Sequence, residues 1–381
     1  WNNNIMTFLE STEKPITILG LMSGTSMDGL DCGLFNIKLD NDYNLAWQCL
    51  DFETIAYNSK VKDIIRAALS GDYLRGKIAD NMLGQIFSIY VEKFLDGRAV
   101  DLIGSHGQTI SHNDGKSNWQ VGDPQYLHNS LNIPIVYNFR TSDINAGGKG
   151  APLTPFLDWL LFRNSNEDII TLNIGGISNV TFIPASGERE KVQGFDTGPG
   201  MALIDECARK CFTRNMDEDG QFSKSGQVVP EILDTLMNHP FIHRNPPKST
   251  GRSDFSEMMV DQILADFPGE SHENIIRTLV VFTAKSISLN IEKHLNFNAL
   301  QTRIIISGGG VNHPVLMDEL IKKSGRHSIT SSTKMGIDPN MKESLLMAVL
   351  AAAYRRQLPA NMVNVTGANE LVVLGELYKG N

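Results

Sequence analysis

The sequence is short of several things, and each scarcity excludes a class of protein. Four cysteines in 381 residues, Cys32, Cys49, Cys207 and Cys211, are too few and too scattered for a disulfide framework. Only Cys207 and Cys211 lie close, at an i, i+4 spacing, and no Cys or His follows to complete a zinc set. The expectation is four reduced thiols in a cytoplasmic protein. No apolar run approaches the ~18 residues that span a bilayer. The most apolar stretch, AVLAAAY at 348–354, is too short. Basic residues are also outnumbered. The 34 Lys plus Arg face 43 Asp plus Glu, for a net charge of −9. A nucleic-acid binder needs a basic patch, so no nucleic-acid partner is expected, and no membrane partner either. Trp1–Lys14 has neither the basic start nor the apolar run of a secretion signal. Met6 offers a natural start, so residues 1–5 read as a remnant and 1–15 as a disordered lead.

What remains is a globular composition, 41% hydrophobic and 20% charged. Ile16–Leu21 reads as a buried strand, followed by a Gly/Ser turn and further strands over Leu30–Ile37 and Leu45–Thr54. Ser59–Ser70 and Lys77–Leu95 read as amphipathic helices. Short strands follow at Ala99–Gly104 and Ile133–Tyr137, then a polar, Gly-rich segment, Arg140–Gly150. The pattern restarts at Asp168–Asn173, with a turn at Ile174–Ile177 and a returning strand at Ser178–Ile183. A helix is expected after Pro199, and Asp217–Gly226 and His243–Ser253 read as surface loops. Glu273–His294 carries a helical apolar stripe. Thr302–Ile306 is a strand, Asn312–Lys323 and Asn340–Arg355 are helices, and Glu370–Gly375 is a last strand. Alternating strands and helices give an α/β class. A strand, Gly-bearing turn and returning strand occur near residue 20 and again near residue 175, which suggests two similar halves.

The 33 glycines are only a small surplus over the ~7% background, but they gather where strands end. Met22–Gly29 (MSGTSMDG) lacks the endings of a P-loop or a dinucleotide fingerprint. Its backbone N–H groups and hydroxyls could cradle phosphate, with Asp28 holding Mg²⁺, or it could be an ordinary hairpin. Asn173–Asn179 (NIGGISN) is a second such cluster, and Ile306–Asn312 (ISGGGVN) is a third, suited to a base or ribose. Phe195–Gly200 (FDTGPG) puts Asp196 at a strand end. There it is either a general base or the cap of the following helix.

Together these segments resemble the anhydro-N-acetylmuramic acid kinases, and less closely the levoglucosan kinases of the same family, within the actin, Hsp70 and hexokinase superfamily. The segments carrying the resemblance are Gly20–Asp31, Ser105–Thr109, Phe139-Arg140 with Asp143, Gly147–Leu153, Asn173–Asn179, Phe195–Gly200, Pro246–Arg252 (PPKSTGR), Ser307–Val311 and Lys342-Glu343. They span Ile16 to Gly375 in order.

The resemblance implies a two-lobed actin/hexokinase-like fold of ribonuclease-H-like lobes with a central ATP/sugar cleft. Lobe I is expected over 16–140 plus 358–379 and lobe II over 141–357. It implies an ATP-dependent kinase that opens the 1,6-anhydro bridge with water and phosphorylates O6, in cell-wall recycling. Asp196 is implied as the general base and Arg140 as its catalytic companion, orienting sugar or water. Ser23, Gly24, Thr25, Ser26, Asn173, Gly175, Gly176 and Ser178 are implied at the phosphates. Gly308, Gly309 and Gly310 are implied at the adenosine. His106, Gln108, Asp143, Lys149, Pro152 and Thr197 are expected at the substrate, and Asp28 and Glu343 at Mg²⁺. For Arg140 an ion pair with Asp143 is the competing reading. The family suggests a homodimer, with Glu273–His294 as one contact surface.

Three positions depart from the family pattern. Asn138 replaces an Asp, Lys149 a Gln and Met201 an Asn. Lys149 suits an anionic substituent such as the lactyl carboxylate of muramic acid. The competing functions are a kinase for a neutral anhydro sugar such as levoglucosan, and a non-kinase ATP-binding protein of the actin or Hsp70 type.

Overall fold

The computed structural model describes residues 14–24, 27–69, 71–113, 117–251, 254–297, 302–324 and 328–380. The chain forms two compact units, residues 1–161 with 337–381 and residues 162–336.

The first unit opens with β1 (Ile16–Ser23), β2 (Gly29–Leu39) and β3 (Leu45–Ala56). Helix α1 (Ser59–Ala68) starts at Asn58, whose side chain caps Val61 N–H, and α2 (Tyr73–Leu95) starts at Asp72, which caps Arg75 N–H. Next come β4 (Leu102–Asn113), β5 (Ser117–Val121), α3 (Pro124–Leu131), β6 (Ile135–Tyr137), α4 (Thr141–Asn145) and α5 (Thr154–Phe162). The second unit holds β7 (Asp168–Ile174), β8 (Ile177–Ile183), β9 (Gln193–Pro199) and α6 (Ala202–Phe212). It continues with α7 (Pro230–Met237), α8 (Pro240–His243), α9 (Glu257–Asp266), α10 (His272–His294), β10 (Thr302–Ser307), α11 (Pro314–Ser324) and β11 (Ser328–Ser331). The chain then returns to the first unit with α12 (Lys342–Arg355), α13 (Val363–Thr366) and β12 (Glu376–Tyr378).

The two sheets share one plan. In the first unit the order is β3-β2-β1-β4-β6, extended by β12 on β6 and β5 on β4. In the second it is β9-β8-β7-β10-β11. In each, the first three strands in sequence pair antiparallel, and two more are added in parallel, β4 and β6 in the first unit and β10 and β11 in the second. The echo between residues 20 and 175 is therefore a repeat of a whole α/β unit, the ribonuclease-H-like arrangement that the resemblance implies.

Both breaks between units differ from the expected 140/141 and 357/358. Helix α12 packs on β1, β2 and β4 rather than in the second unit. The reason is local and steric. A Cβ at Gly20 would collide with the carbonyl of Ser344, and one at Gly104 with that of Met347. Bare strand backbone lets the Ala-rich helix lie directly on the sheet, burying Ala348, Ala351, Ala352 and Ala353. Lys342 on this helix also pairs with the fully buried Asp158 at 2.6 Å. Segment 141–150 belongs to the same unit because its anchor, Asp143, bonds to Asn361 and Thr366.

Two further expectations are corrected and one is sharpened. The segment Glu370–Gly375 is not a strand. Val372 is held by both backbone groups, its N–H donating to Asn361 and its carbonyl accepting from Ala360, so pairing begins later, with Glu376 opposite Tyr137. The expected surface loop Asp217–Gly226 is a mostly exposed run of turns, anchored from beneath because Asp217 is buried and accepts from Phe222 N–H, Ser223 N–H and His313. Helix α10 is enclosed from Ile275 to Ile291 within the hydrophobic core of the second unit, which leaves its middle unavailable as a contact surface between copies. The expected disordered lead at 1–15 falls largely outside the described residues, which begin at residue 14.

Candidate active site

In the first unit the candidate residues lie at the end of β1, in the middle of β4 and at the start of α4 and α12. The hydroxyl of Ser23, at the end of β1, is committed inside the fold. It donates to Gln108 Oε1 at 2.6 Å, and so accepts from Tyr57 OH at 2.7 Å. Ser23 and Gln108 are buried, so neither side chain is presented to a ligand. Tyr57 was not foreseen, since nothing near it in sequence marks it. Gly24 is half-buried beyond them. Thr25 and Ser26 lie outside the described residues.

His106 on β4 and Arg140 form one assembly. Arg140 Nε and Nη2 both donate to His106 Nε2, at 3.1 and 2.9 Å, and Nη1 donates to the Gly150 carbonyl at 2.8 Å. His106 Nδ1 lies 2.9 Å from the Gly107 carbonyl. An atom accepting two guanidinium N–H groups carries no proton, so the bonding assigns the proton to Nδ1. Burial and, secondly, the charge of Arg140 push the imidazole down to about 3, against the opposing pull of Gly107. Burial lowers Arg140 to about 10, with Glu343 pulling it upward, so it remains a cation at neutral pH. His106 thus supports Arg140 rather than presenting itself to a sugar.

Asp143 is fully buried and accepts from Gly150 N–H, Asn361 and Thr366 at 2.8, 3.0 and 2.8 Å. It pins the 140–150 segment and makes no ion pair with Arg140 among the described residues. It therefore acts through the loop and does not touch a substrate. Lys149 and Pro152, in and just beyond the same segment, are half-buried. Asn138 bonds to Glu376 and Thr141.

Three carboxylates gather in this unit. Asp28 is exposed, and Asp31 accepts from Thr54 at 2.6 Å. Burial raises Asp31, Thr54 opposes that, and Asp28 adds to it. Solvent reaches Glu343, yet crowding by surrounding protein raises its carboxyl, and Asp31 raises it further. Among the described residues no group of three or more His, Cys, Asp or Glu is close enough to hold a metal ion alone. That donor set fits Mg²⁺, a hard cation that takes one or two carboxylates and completes its shell with phosphate and water. Mutual repulsion among these oxygens is what a divalent cation would relieve. Asp31 was visible as part of the Gly20–Asp31 segment but went unassigned.

In the second unit three glycine clusters converge. The carbonyls of Gly175 and Gly176, in the β7–β8 turn, accept from Met201, Gly200 and Ala202 N–H at 2.8, 2.8 and 3.1 Å. The start of α6 is thus satisfied by the turn. Ser307 donates to Asn173 Oδ1 at 3.4 Å. Gly308, at φ +87°, crosses so close to Ile174 and Asn173 that a side chain has no room. Gly309 faces open space, and Gly310 lies against Ile174. The hydroxyls of Ser178 and Thr197 bond to each other at 2.7 Å, fully buried. Neither side chain is available to phosphate or sugar, since a hydroxyl in a motif does not reveal what it already bonds.

Asp196 lies on β9, half-buried. The register of β8 against β9 slips here. Ser178 faces Gly198 and Asn179 faces Asp196, so Thr197 is an extra residue and the strand bulges at the candidate base. Thr250 N–H donates to Asp196 Oδ2 at 2.8 Å, and Asp196 N–H donates to the Lys248 carbonyl at 3.1 Å. Lys248 and Thr250, in the Pro246–Arg252 motif that had no role assigned, are therefore the partners of Asp196.

Comparison with known proteins agrees. The profile of the family described as anhydro-N-acetylmuramic acid kinase matches residues 16–380. A curated anhydro-N-acetylmuramic acid kinase of Bacillus cereus is 36% identical over 377 residues, covering 94% of this chain and 98% of its own. Another, of Bacillus thuringiensis subsp. konkukian, is 36% identical over 376 residues, with 94% and 98% covered. Among solved structures, the activator of 2-hydroxyisocaproyl-CoA dehydratase from Clostridium difficile with bound ADPNP is 12% identical, at a TM-score of 0.43, covering 90% of this chain and 97% of that one. A ROK family glucokinase from Streptomyces griseus in complex with glucose and AMPPNP is 11% identical, at a TM-score of 0.38, covering 88% and 99%. The argument rests on the sequence relatives, which match along nearly their whole length. On that match, from residue 16 to residue 380, this chain belongs to the anhydro-N-acetylmuramic acid kinase family.

Proposed function

We propose that this kinase uses ATP and Mg²⁺ to convert 1,6-anhydro-N-acetylmuramic acid to N-acetylmuramic acid 6-phosphate. The observation that carries this reading is the family match over residues 16–380. In the reaction a water oxygen bonds to the anomeric carbon and the C1–O6 bond breaks. The freed O6 takes the γ-phosphoryl group, ADP leaves, and the water's proton goes to Asp196. An ether oxygen is a poor nucleophile until its bond to C1 weakens, so the two events assist each other. Asp196 suits the base role because a backbone N–H fixes one of its oxygens and a bulge aims it. Arg140, backed by a neutral His106, suits orientation of the sugar or water. Gly24, Gly175 and Gly176 offer backbone to the phosphates, and Gly308–Gly310 to the adenosine. Asp28 and Glu343, with Asp31 beside them, would hold Mg²⁺, which supplies neutralisation of phosphate charge. Lys149 suits the lactyl carboxylate. The setting is cell-wall recycling in the cytoplasm, by a homodimer.

The test is product formation from a panel of anhydro sugars with ATP and Mg²⁺, alongside the mass by light scattering. A 6-phosphate from the muramic sugar, with weaker turnover of levoglucosan, supports the reading. Equal or better turnover of levoglucosan transfers it to a neutral sugar. ATP hydrolysis unaffected by any sugar, in folded protein, would make it a non-kinase ATPase.

A further inference from the structure

We propose that Lys248 is a positioning residue for Asp196, holding the bulged strand and the loop that orients the carboxylate in one geometry. The inference rests on Asp196 being the base. Three observations meet here. First, the bulge leaves Thr197 without a register partner in β8, and its carbonyl needs donors from elsewhere. Helix α10 supplies them. Ser286 Oγ donates to that carbonyl at 2.5 Å and Asn290 Nδ2 at 3.1 Å.

Second, Asn290 is itself fixed. It is fully buried, its Nδ2 also donates to the Ser286 carbonyl at 2.9 Å, and its Oδ1 accepts from Lys248 Nζ at 2.6 Å. Lys248 Nζ further donates to the carbonyls of Phe241 and Ile242, at 3.1 and 3.4 Å. Three acceptors match the three N–H bonds of an ammonium, which also lies 4.6 Å from the Phe241 ring centre. Third, the backbone of the same residue closes the loop. The Lys248 carbonyl accepts from Asp196 N–H, and two residues on, Thr250 N–H donates to Asp196 Oδ2. One side chain thus ties α8, α10 and the Pro246–Gly251 segment to both flanks of Asp196.

Such an arrangement is costly. Lys248 is 3% exposed, and burial, reinforced by Lys293 and Arg244 and opposed by Asp196, lowers its ammonium to about 8. A neutral side chain of similar length would fill the space without that cost, so the cation is explained by what it holds.

The experiment is a double-mutant cycle on the full chain, with kcat and both KM values measured for Lys248→Met, Asp196→Asn and the pair. The expected result is a kcat about 30-fold lower in Lys248→Met, part of the 10²–10⁴ that a positioned base supplies, with KM for ATP within twofold of wild type. In the Asp196→Asn background the same change should cost less than twofold, because there is no base left to position. A kcat loss that multiplies in the pair, or a Lys248→Met kcat within twofold of wild type, overturns the positioning role while leaving Asp196 as base. Unchanged kcat in Asp196→Asn overturns the base assignment itself. Should Lys248→Met fail to fold, Asn290→Ala carries the same cycle with the same criteria.

Discussion

Two nitrogens of the Arg140 guanidinium converge on a single atom, Nε2 of His106, at 3.1 and 2.9 Å. The pairing makes His106 an acceptor, fixes its proton on Nδ1, and turns a residue that reads as a sugar ligand into the seat of a cation. Removing the acceptor in His106→Ala leaves two partly buried N–H groups unmatched. The expected cost is about 1–3 kcal/mol of stability, together with a fall in kcat. His106→Gln, whose Oε1 can accept, should lose less of both. The folded imidazole titrates near 3 against an ordinary 6.5, so the unfolded chain takes up its proton first as pH falls. This contribution is fully present above 6.5 and is lost as pH drops through the window between 6.5 and 3. Urea midpoints at pH 7.5, 5.5 and 4.5 should fall further in wild type than in His106→Gln.

Glu343 carries the opposite sign. Its folded carboxyl titrates above the ordinary 4.5, so the unfolded chain ionises first and stability is lost as pH rises through the folded value. Glu343→Gln is expected to raise Tm at pH 7.5 and to raise the Mg²⁺ concentration for half-maximal activity at least tenfold. A gain in stability on removing the carboxylate, paired with a loss of activity, is the trade expected of a functional site. Thermal melts and a Mg²⁺ titration of kcat check the two halves separately.

Gly20 and Gly104 let α12 rest on bare strand backbone. In Gly20→Ala or Gly104→Ala the new Cβ meets a main-chain carbonyl, which cannot rotate aside as a side chain does. Overpacking of this kind costs about 3 kcal/mol, and the first unit should bear it. Alanine placed instead at Gly269, which has open space around it, should change the urea midpoint little.

Asp217 and His313 join the 217–226 segment to the start of α11. His313 Nδ1 accepts from Leu316 N–H at 3.1 Å, so Nε2 carries the proton that Asp217 Oδ2 accepts, also at 3.1 Å. Burial raises Asp217, but the bonds from His313, Ser223 and Phe222 more than reverse this and hold it low. Asp217→Asn replaces an acceptor with an amide among donors. It should lower Tm by several degrees and, because His313 N–H bonds the Gly310 carbonyl, raise KM for ATP. An unchanged KM would separate this pair from the nucleotide.

Much of the molecule is legible in the chain itself. Apolar periodicity locates β1, β2, β7, β10, α10 and α12, because burying a stripe requires that spacing. Family motifs point to Asp196, Arg140 and the glycine clusters. Short elements flanked by polar residues, such as β5 and α3, give no such signal. Nor does the sequence say which hydroxyls of Ser23, Ser178 and Thr197 are already bonded, since their partners lie between 19 and 85 residues away.

Local patterning was therefore enough for the α/β class and for the echo of strand, turn and returning strand in the two halves, while the candidate site residues came from the family resemblance. Three things depend on long-range packing. Helix α12 sits on the first sheet because glycines distant in sequence clear its path. His106 is neutral because Arg140 and burial make it so. Asp196 is aimed by a bulge and by a loop 54 residues downstream. The first is a matter of steric clearance and the other two of which group occupies a partner's hydrogen-bonding site, and both are decided only when separate segments close on one another.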